Sequence, residues 1–388
     1  MTSGFSMGGF LVTLVVLGLV AWGFLRLLSL GTRQQAGAAA ALRNAVGLLR
    51  RDLLAATLGP LDAADAVVPL VDNSPAGAAL PLLSGDSIAV QPGTDQIELQ
   101  GVLRAGRLSL DTAGCPVRLA RQDPARVRVP LPAFAGRRDQ RAALEELLGR
   151  LRARPHDQLS FLISDAARQW AVGRVVAFDV AGACGGVDLV LDFTAADAVR
   201  RNGGRDAARL GELRSGGLLD RLVYFVAGAG GGAPAALCVA EDAGDGRYRV
   251  NRLAEGAEDL QMSYGIAPAD GRFDPAERAP DVGPDDWWPN HPGEHPATSE
   301  MLRDALGRPR LRSVKVALVG ARGQHAGEPP KPMNAGARGE RLAAPGMRWP
   351  APDGAGGDRL RQVSGDRLRG WSVEVATVDL TAARDGDP

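Results

Sequence analysis

The feature that most constrains the fold of this chain is an uncharged run near its start. No Asp, Glu, Lys or Arg occurs between Met7 and Leu25. A helix needs roughly 20 apolar residues, each adding about 1.5 Å, to cross the apolar core of a bilayer. The run therefore predicts a membrane-spanning helix, and we place that half of the helix over residues 5–30.

The helical pattern continues past the apolar run as an amphipathic half over residues 31–59. Its apolar residues recur every three or four positions, which is the period of one helix face: Leu42, Val46, Leu49 and Leu53. The charged residues are predicted to lie on the other sides: Arg43, Arg50, Arg51 and Asp52. Gly59-Pro60 ends the helix. Two interpretations stay open, a helix that packs on a globular sheet and a plain surface helix beyond a membrane anchor.

The remaining residues, 60–388, are predicted to form a body rich in β-strands. Alternating or continuous apolar patterns mark the strands: Asp95–Leu103, Arg107–Leu110, Val117–Val129, Gln158–Asp165, Gln169–Phe178, Val187–Phe193, Asp220–Val226, Ala236–Ala240, Tyr248–Leu253, Leu311–Val319 and Trp371–Leu380. Arg141–Arg152 is the one clear helix inside the body, and loop insertions are predicted near 265–309 and 320–358. The predicted fold class is α+β, with the long N-terminal helix packed on an enlarged antiparallel sheet.

The start of the chain resembles a known processing signal. Met1-Thr2-Ser3-Gly4 is a short polar leader, Phe5 follows, and the apolar run begins at once. This layout is similar to the class III signal of type IV pilins and type II secretion pseudopilins, in which a membrane peptidase cuts after the Gly and methylates the new N-terminal Phe. The resemblance implies that residues 1–4 are a leader and that the mature chain begins at Phe5.

The body resembles PilW-type minor pilins, and more loosely GspJ-type pseudopilins, in the order of its pieces. A strand with Tyr224-Phe225-Val226, a Gly-rich turn and an apolar strand precede Glu255-Gly256-Ala257-Glu258-Asp259-Leu260-Gln261. The strand Val314-Lys315-Val316-Ala317-Leu318 and a closing strand follow. The order of these segments is stronger support for the resemblance than any single segment.

The resemblance implies a pilin-like fold and a non-catalytic subunit that primes or caps a type IV pilus or a related secretion pseudopilus. Its implied partners are other minor pilins, the major pilin, the prepilin peptidase and the inner-membrane assembly platform. The implied location is the inner membrane, crossed once, with the body in the periplasm, and then the cell surface within a filament. Gly9 stands where the family has a Glu that pairs with the neighbouring Phe ammonium, which implies a place at the filament tip.

Other interpretations of the N-terminus remain open. An ordinary signal anchor would keep Met1, and the chain would then be a single-pass, membrane-anchored β-domain that binds a ligand or a surface component. Ala36-Gly37-Ala38 offers a small-residue site for a cleaved secretory signal. The arginines that follow the apolar run, taken alone, predict a cytoplasmic body.

Three cysteines permit one disulfide and a spare thiol. Cys184 and Cys238 both lie at ends of predicted strands, so we predict that they pair if the body is periplasmic and that Cys115 stays free. The sequence alone allows three pairings.

Little in the sequence points to catalysis or to a cofactor. His291-Pro292-Gly293-Glu294-His295 has the residue order of a zinc peptidase, but its Pro and Gly prevent the helix that this chemistry needs. Calcium is the remaining metal candidate, since hard cations prefer carboxylate oxygens, and some pseudopilin tip proteins bind it. The candidate ligands are Asp281, Asp285, Asp286 and Glu294, and the alternative is a solvated acidic loop.

Two further observations concern partners. Trp287-Trp288 lies in a polar segment, where adjacent aromatic side chains either anchor a partner protein or cover the small core of their own loop. Lys plus Arg equals Asp plus Glu at 45 each, so no net charge favours nucleic acid. The sequence predicts a chain that is not an enzyme.

Overall fold

The fold is taken from a computed structural model, which describes residues 39–57, 61–71, 74, 76–92, 94–104, 106–110, 126–131, 137–153, 159–180, 186–196, 198, 202, 207–230, 233–243, 246–266, 287–289, 311–321 and 371–380. Its helices include α1 (39–57), α2 (Ala63–Ala66) and α3 (Arg138–Ala153). Its strands are β1 (Val67–Val71), β2 (Ala79–Pro81), β3 (Ser87–Ala89), β4 (Gln96–Gly101), β5 (Leu108–Ser109), β6 (Arg126–Leu131), β7 (Ser160–Asp165), β8 (Trp170–Asp179), β9 (Val187–Asp192), β10 (Leu213–Leu218), β11 (Asp220–Ala227), β12 (Ala236–Asp242), β13 (Tyr248–Glu255), β14 (Ala257–Ile266), β15 (Trp287–Pro289), β16 (Leu311–Ala321) and β17 (Trp371–Asp379).

The strands form three larger antiparallel sheets and a hairpin. The central sheet has the order β1-β4-β11-β12-β13, and the lateral sheet has the order β5-β10-β7-β8-β9-β6. The C-terminal sheet has the order β15-β14-β16-β17, while β2 and β3 pair only with each other. Hairpins link β7 to β8, β8 to β9, β11 to β12 and β12 to β13, so sequence neighbours are often spatial neighbours.

The central sheet is buried on both faces along β4, β11 and β12. One face packs on α1 through side chains such as Leu222 and Tyr224, and the other packs on the β2–β3 hairpin through Phe225 and Cys238. A strand covered on both sides carries a continuous apolar run rather than an alternating one. This accounts for Leu222–Ala227 of β11, where every residue is buried.

Helix α1 lies across the central and C-terminal sheets and shares one hydrophobic core with both. Its predicted apolar face is confirmed, since Leu42, Val46, Leu49 and Leu53 are all buried. Two glycines allow the sheets to approach α1 closely. A Cβ at Gly320 of β16 would lie 2.6 Å from Leu42 Cδ1. A Cβ at Gly101 of β4 would lie 3.2 Å from the Cα of Ala56.

Helix α3 packs on the lateral sheet and forms a second core. Its buried positions Leu144, Leu147 and Leu151 follow the helical period and contact apolar residues of β7 and β9. The helix spans Arg138–Ala153, slightly longer than the predicted Arg141–Arg152. Two separate cores thus bury α1 against the central and C-terminal sheets and α3 against the lateral sheet.

The predicted fold class is wrong. The chain was expected to be α+β, organised by a long N-terminal helix whose first half crosses a membrane. The described residues are instead mostly β-sheet, and α1 is described over 39–57. The helix buries a single apolar stripe against two sheets, so strands supply most of the described core.

The predicted transmembrane helix and the localisation that depended on it are also corrected. Within the part of the chain that the structure describes, no helix has the length and apolar character needed to cross a membrane. The predicted single-pass anchor in the inner membrane is therefore not supported, and the predicted periplasmic body and cell-surface location rested on that anchor. The apolar run from Met7 to Leu25 lies outside the described residues.

Most predicted strands occur within a few residues of their expected positions. The predicted hairpin is confirmed, since β11 and β12 pair antiparallel from Leu222 with Glu241 to Ala227 with Ala236. The elements α2, β1, β2 and β3 lie ahead of Asp95–Leu103, the first strand that the sequence pattern predicted. Most of the predicted insertions, 265–309 and 320–358, lies outside the described residues.

Candidate functional site

Many of the predicted site residues lie outside the described part of the chain. The processing pair Gly4 and Phe5 is among them. So are all four calcium candidates, Asp281, Asp285, Asp286 and Glu294. Among the residues that the structure does describe, no group of three or more His, Cys, Asp or Glu is placed to hold a metal ion.

The structure does not show the predicted disulfide. Cys238 carries a free thiol that is fully buried in the middle of β12, between the central sheet and the β2–β3 hairpin. Burial raises the pKa of this thiol, which disfavours the reactive thiolate. Cys184, the predicted partner of Cys238, and Cys115, predicted to stay free, lie outside the described residues, so this pairing stays a prediction.

Trp287 and Trp288 belong to a strand rather than to a polar loop. Strand β15 pairs with β14, with Trp288 opposite Tyr264 and Trp287 opposite Gly265. This places the two tryptophans at one edge of the C-terminal sheet. Their role as partner anchors stays a prediction.

The first polar site in the described structure fixes α1 to the central sheet. Asp52 is only 4% exposed, and its Oδ2 accepts a 2.7 Å hydrogen bond from the Tyr224 hydroxyl on β11. Its Oδ1 accepts hydrogen bonds from the Arg51 guanidinium, whose side chain is 70% exposed. The prediction that Asp52 lies away from the apolar face is therefore wrong.

The environment of Tyr224 is unusually unfavourable for the phenolate. Burial, then the charge of Asp52 and the hydrogen bond to it, raise the pKa of Tyr224 far above its ordinary value. The phenol therefore stays protonated and donates to the carboxylate throughout the physiological range. This pairing sets the axial position of α1, because a shift of one residue would remove the acceptor from the hydroxyl.

A second polar cluster ties α3 to the end of the central sheet. Asp220 begins β11 with a fully buried side chain and accepts 3.0 and 2.9 Å hydrogen bonds from the backbone N–H groups of Leu103 and Arg104. Arg150 of α3 donates to its other oxygen at 2.7 Å. Glu241 of β12 lies within reach of both arginines, 2.9 Å from Arg104 and 3.6 Å from Arg150.

A third cluster lies on the opposite face of the central sheet. Arg221 donates to both oxygens of Glu98 and to Asp242, so one guanidinium joins β4, β11 and β12. Burial opposes its charged form, but the hydrogen bond and charge of Glu98 and the charge of Asp242 raise its pKa overall. Both carboxylates are almost fully buried, and removing the arginine would leave them unpaired.

These three clusters connect elements rather than create a reactive centre. Their carboxylates are buried and hydrogen-bonded, so they are not presented to a solute. Sequence reasoning missed them, although one signal was available. Asp52 follows Leu49 by three residues and precedes Ala56 by four, a spacing that places it on the apolar stripe.

The opposite face of α1 is exposed and basic. Arg43, Asn44, Gly47, Arg50 and Arg51 all face solvent. The one acidic residue within 39–57, Asp52, is on the buried side. The helix therefore presents an apolar face to the sheets and a cationic face outward.

Comparisons with known proteins identify no family and no protein of similar fold. No family model, no curated protein and no solved structure matches the chain.

Proposed function

We propose that this chain is a non-catalytic subunit that primes or caps the assembly of a type IV pilus or a related secretion pseudopilus. Its partners in this proposal are other minor pilins, the major pilin, the prepilin peptidase and an assembly platform. One structural observation carries it. An N-terminal amphipathic helix is fixed by Leu42, Leu49, Leu53 and the Asp52–Tyr224 bond across antiparallel sheets, while its other face stays exposed.

That arrangement supports the proposal because it holds the β-rich body rigidly on α1 in one fixed orientation. In the proposed assembly the N-terminal segment of the subunit packs against a neighbouring subunit, which requires the β-rich body and α1 to move as one rigid unit. A buried apolar stripe and a charge-assisted hydrogen bond supply that rigidity. The Gly4-Phe5 layout and the order of the strands support the same proposal from the sequence.

The decisive experiment is the intact mass of the full-length chain co-expressed with a prepilin peptidase. We expect removal of Met1–Gly4 and one methyl group on the Phe5 amine. A Gly4→Val variant should keep the leader, because a peptidase subsite of this type accepts only the smallest side chain. Gly8→Val is the matched control and should be processed normally.

A chain that keeps Met1 and an unmodified Phe5 would contradict the proposal. The remaining candidate would then be a β-domain that binds a ligand or a surface component. Normal processing of the Gly4→Val variant would also count against it.

The absence of a carboxylate at Gly9 supports a position at the filament tip. No Asp or Glu precedes Asp52 in the sequence, so nothing near Phe5 can neutralise a neighbouring ammonium. An ammonium buried without a counter-charge costs several kcal/mol. Gold labelling should therefore find this subunit in few copies at filament ends, and labelling spread along the shafts would refute the tip position.

A further inference from the structure

The exposed faces of α1 and α3 have complementary charges at the same spacing. On α1, Gly47 lies at the centre of the exposed face, and a Cβ built there meets nothing within 4 Å. Arg43 and Arg50 flank it on one side, both exposed, and neither forms an ion pair with a residue that the structure describes. A helical glycine is about 1 kcal/mol less favourable than alanine, and no packing in the described chain requires it.

Helix α3 presents a similar face with the opposite charge along one side. Ala142 and Gly149 lie on the exposed side, away from the buried leucines, and a Cβ at Gly149 also meets nothing within 4 Å. Asp139 and Glu146 are exposed beside them, and neither pairs with a described residue.

The other side of the exposed face of α3 carries charges of both signs. Arg141 forms an ion pair with Glu145 at 3.1 Å. Arg138 and Arg152 are exposed on this side as well, so only the side that holds Asp139 and Glu146 is purely acidic.

The geometry points to self-association in which the exposed face of α1 in one copy docks on the exposed face of α3 in a second copy. Arg43 and Arg50 are seven residues apart, and so are Asp139 and Glu146. Two helical turns separate each pair by about 10.5 Å, so both ion pairs form together in a single register.

The direction of the two helices follows from where the charges lie. Viewed down α1 from its N-terminus, Arg43 and Arg50 lie counterclockwise of Gly47. Viewed down α3 in the same way, Asp139 and Glu146 lie clockwise of Ala142 and Gly149. Residues on opposite sides meet when two helices pack in parallel. Parallel docking then sets Arg43 against Asp139 and Arg50 against Glu146.

The small residues fit the same register. Gly47 falls within one residue of Ala142, and the half-buried Leu54 falls within one residue of Gly149. Small side chains at these positions let the helix axes approach to the short end of the usual range, about 8 Å. A flat anionic surface such as a membrane or a nucleic acid would use the arginines but would not require either glycine.

Since α1 contacts α3, the two copies contribute different surfaces. Such a contact either closes into a ring or a reciprocal pair, or continues as an open chain of copies. The inference goes beyond the proposed function and does not depend on it.

Charge reversal on the full-length chain tests the contact. Two copies with different tags are co-expressed, and capture of one by the other is measured. Arg43→Glu with Arg50→Glu in both copies should lower capture at least about tenfold, as should Asp139→Arg with Glu146→Arg, because like charges are then opposed. The variant with all four changes should regain capture to within about twofold of wild type.

Mixing the two reversed variants supplies a second measurement. Each double variant should fail to capture itself, while the two together should capture each other, because the mixture restores opposite charges. Reversal of Arg249 and Glu255, which are exposed on β13, is the matched control and should change nothing. Circular dichroism melts confirm that each variant folds.

Several results would overturn the inference. These are no capture between wild-type copies, equal capture by all variants, or folded quadruple variants that do not regain capture. Loss on reversing α1 with no effect of reversing α3 would mean that the basic face binds something else, such as another acidic protein or an anionic membrane.

Discussion

The bond between Asp52 and Tyr224 makes a quantitative prediction for Tyr224→Phe. The substitution removes one oxygen atom and leaves a carboxylate that is 4% exposed without its 2.7 Å donor. Hydrogen bonds to charged groups contribute about 1.5–3 kcal/mol, so we expect the free energy of unfolding to fall by about 2 kcal/mol. Arg51 compensates little, because its side chain is 70% exposed and its charge is screened by solvent.

Urea titration of the full-length chain at neutral pH measures this change. The midpoint should fall while the slope stays the same, since the surface exposed on unfolding is unchanged. Hydrogen exchange then locates the effect. If α1 opens from the sheets as a unit, its amide protons should exchange about 30-fold faster, since each 1.4 kcal/mol is a factor of ten.

Two comparisons make the reasoning refutable. Tyr248→Phe removes the same atom from a half-buried residue on the edge strand β13, where water can replace a lost bond, and should cost less than about 0.5 kcal/mol. Asp52→Leu combined with Tyr224→Phe should cost less than the sum of the single changes by about 1 kcal/mol or more. A folded Tyr224→Phe protein as stable as wild type, or no more affected than Tyr248→Phe, would show that the bond does not hold α1.

Four further predictions follow from single residues. Burial and Asp52 raise the pKa of Tyr224 in the folded state. The contribution of Tyr224 to stability is therefore complete below the unfolded pKa of about 10 and is lost as pH rises above that value. Above that pH, the urea midpoint should fall less in Tyr224→Phe than in wild type. Gly47→Ala should raise the free energy of unfolding by about 0.5–1 kcal/mol, measured by urea titration, since the new methyl group meets nothing within 4 Å. Gly320→Ala should lower it by about 1–3 kcal/mol in the same assay, because the new Cβ would lie 2.6 Å from Leu42 Cδ1. Cys238 should be alkylated only after denaturation in peptide mapping, because its thiol is fully buried; labelling of the native protein at this residue would contradict the packing of β12.

The strands that the sequence predicted well are those whose apolar residues pack on other side chains. In β11 and β16 the pattern of Val, Leu and Phe reports burial directly, and the structure places both strands close to the expected bounds. The buried face of α1 was also predictable, because Leu42, Val46, Leu49 and Leu53 follow one period.

Strand β10 shows what such patterns miss. Its sequence, Leu-Arg-Ser-Gly-Gly-Leu, has low strand propensity and was not predicted. The two glycines are required by neighbours that are distant in sequence, because a Cβ at Gly216 would lie 2.7 Å from the Phe161 ring. A Cβ at Gly217 would lie 2.6 Å from Val102. Only the folded arrangement of β7, β10 and the residue that follows β4 reveals this requirement.

The polar cluster that ties α3 to the central sheet was unpredictable for a related reason. Asp220, Glu241 and Arg150 are far apart in sequence, and each one alone resembles an ordinary surface charge. The sheet topology brings them together by placing β11 beside β12 and the end of α3 against both. Sequence spacing reports contacts within one element, whereas these pairs join three elements.

The contact between Leu42 and Gly320 affects how the chain can fold during its synthesis. Helix α1 is synthesised long before strand β16, which completes the surface that the helix packs on. Until then a ribosome-bound chain carries a helix whose leucine face has only part of its partner surface. Such an exposed face is a binding site for chaperones and a route to aggregation. Chains truncated before β16 should therefore depend on chaperone capture, and release of the complete chain should end that dependence.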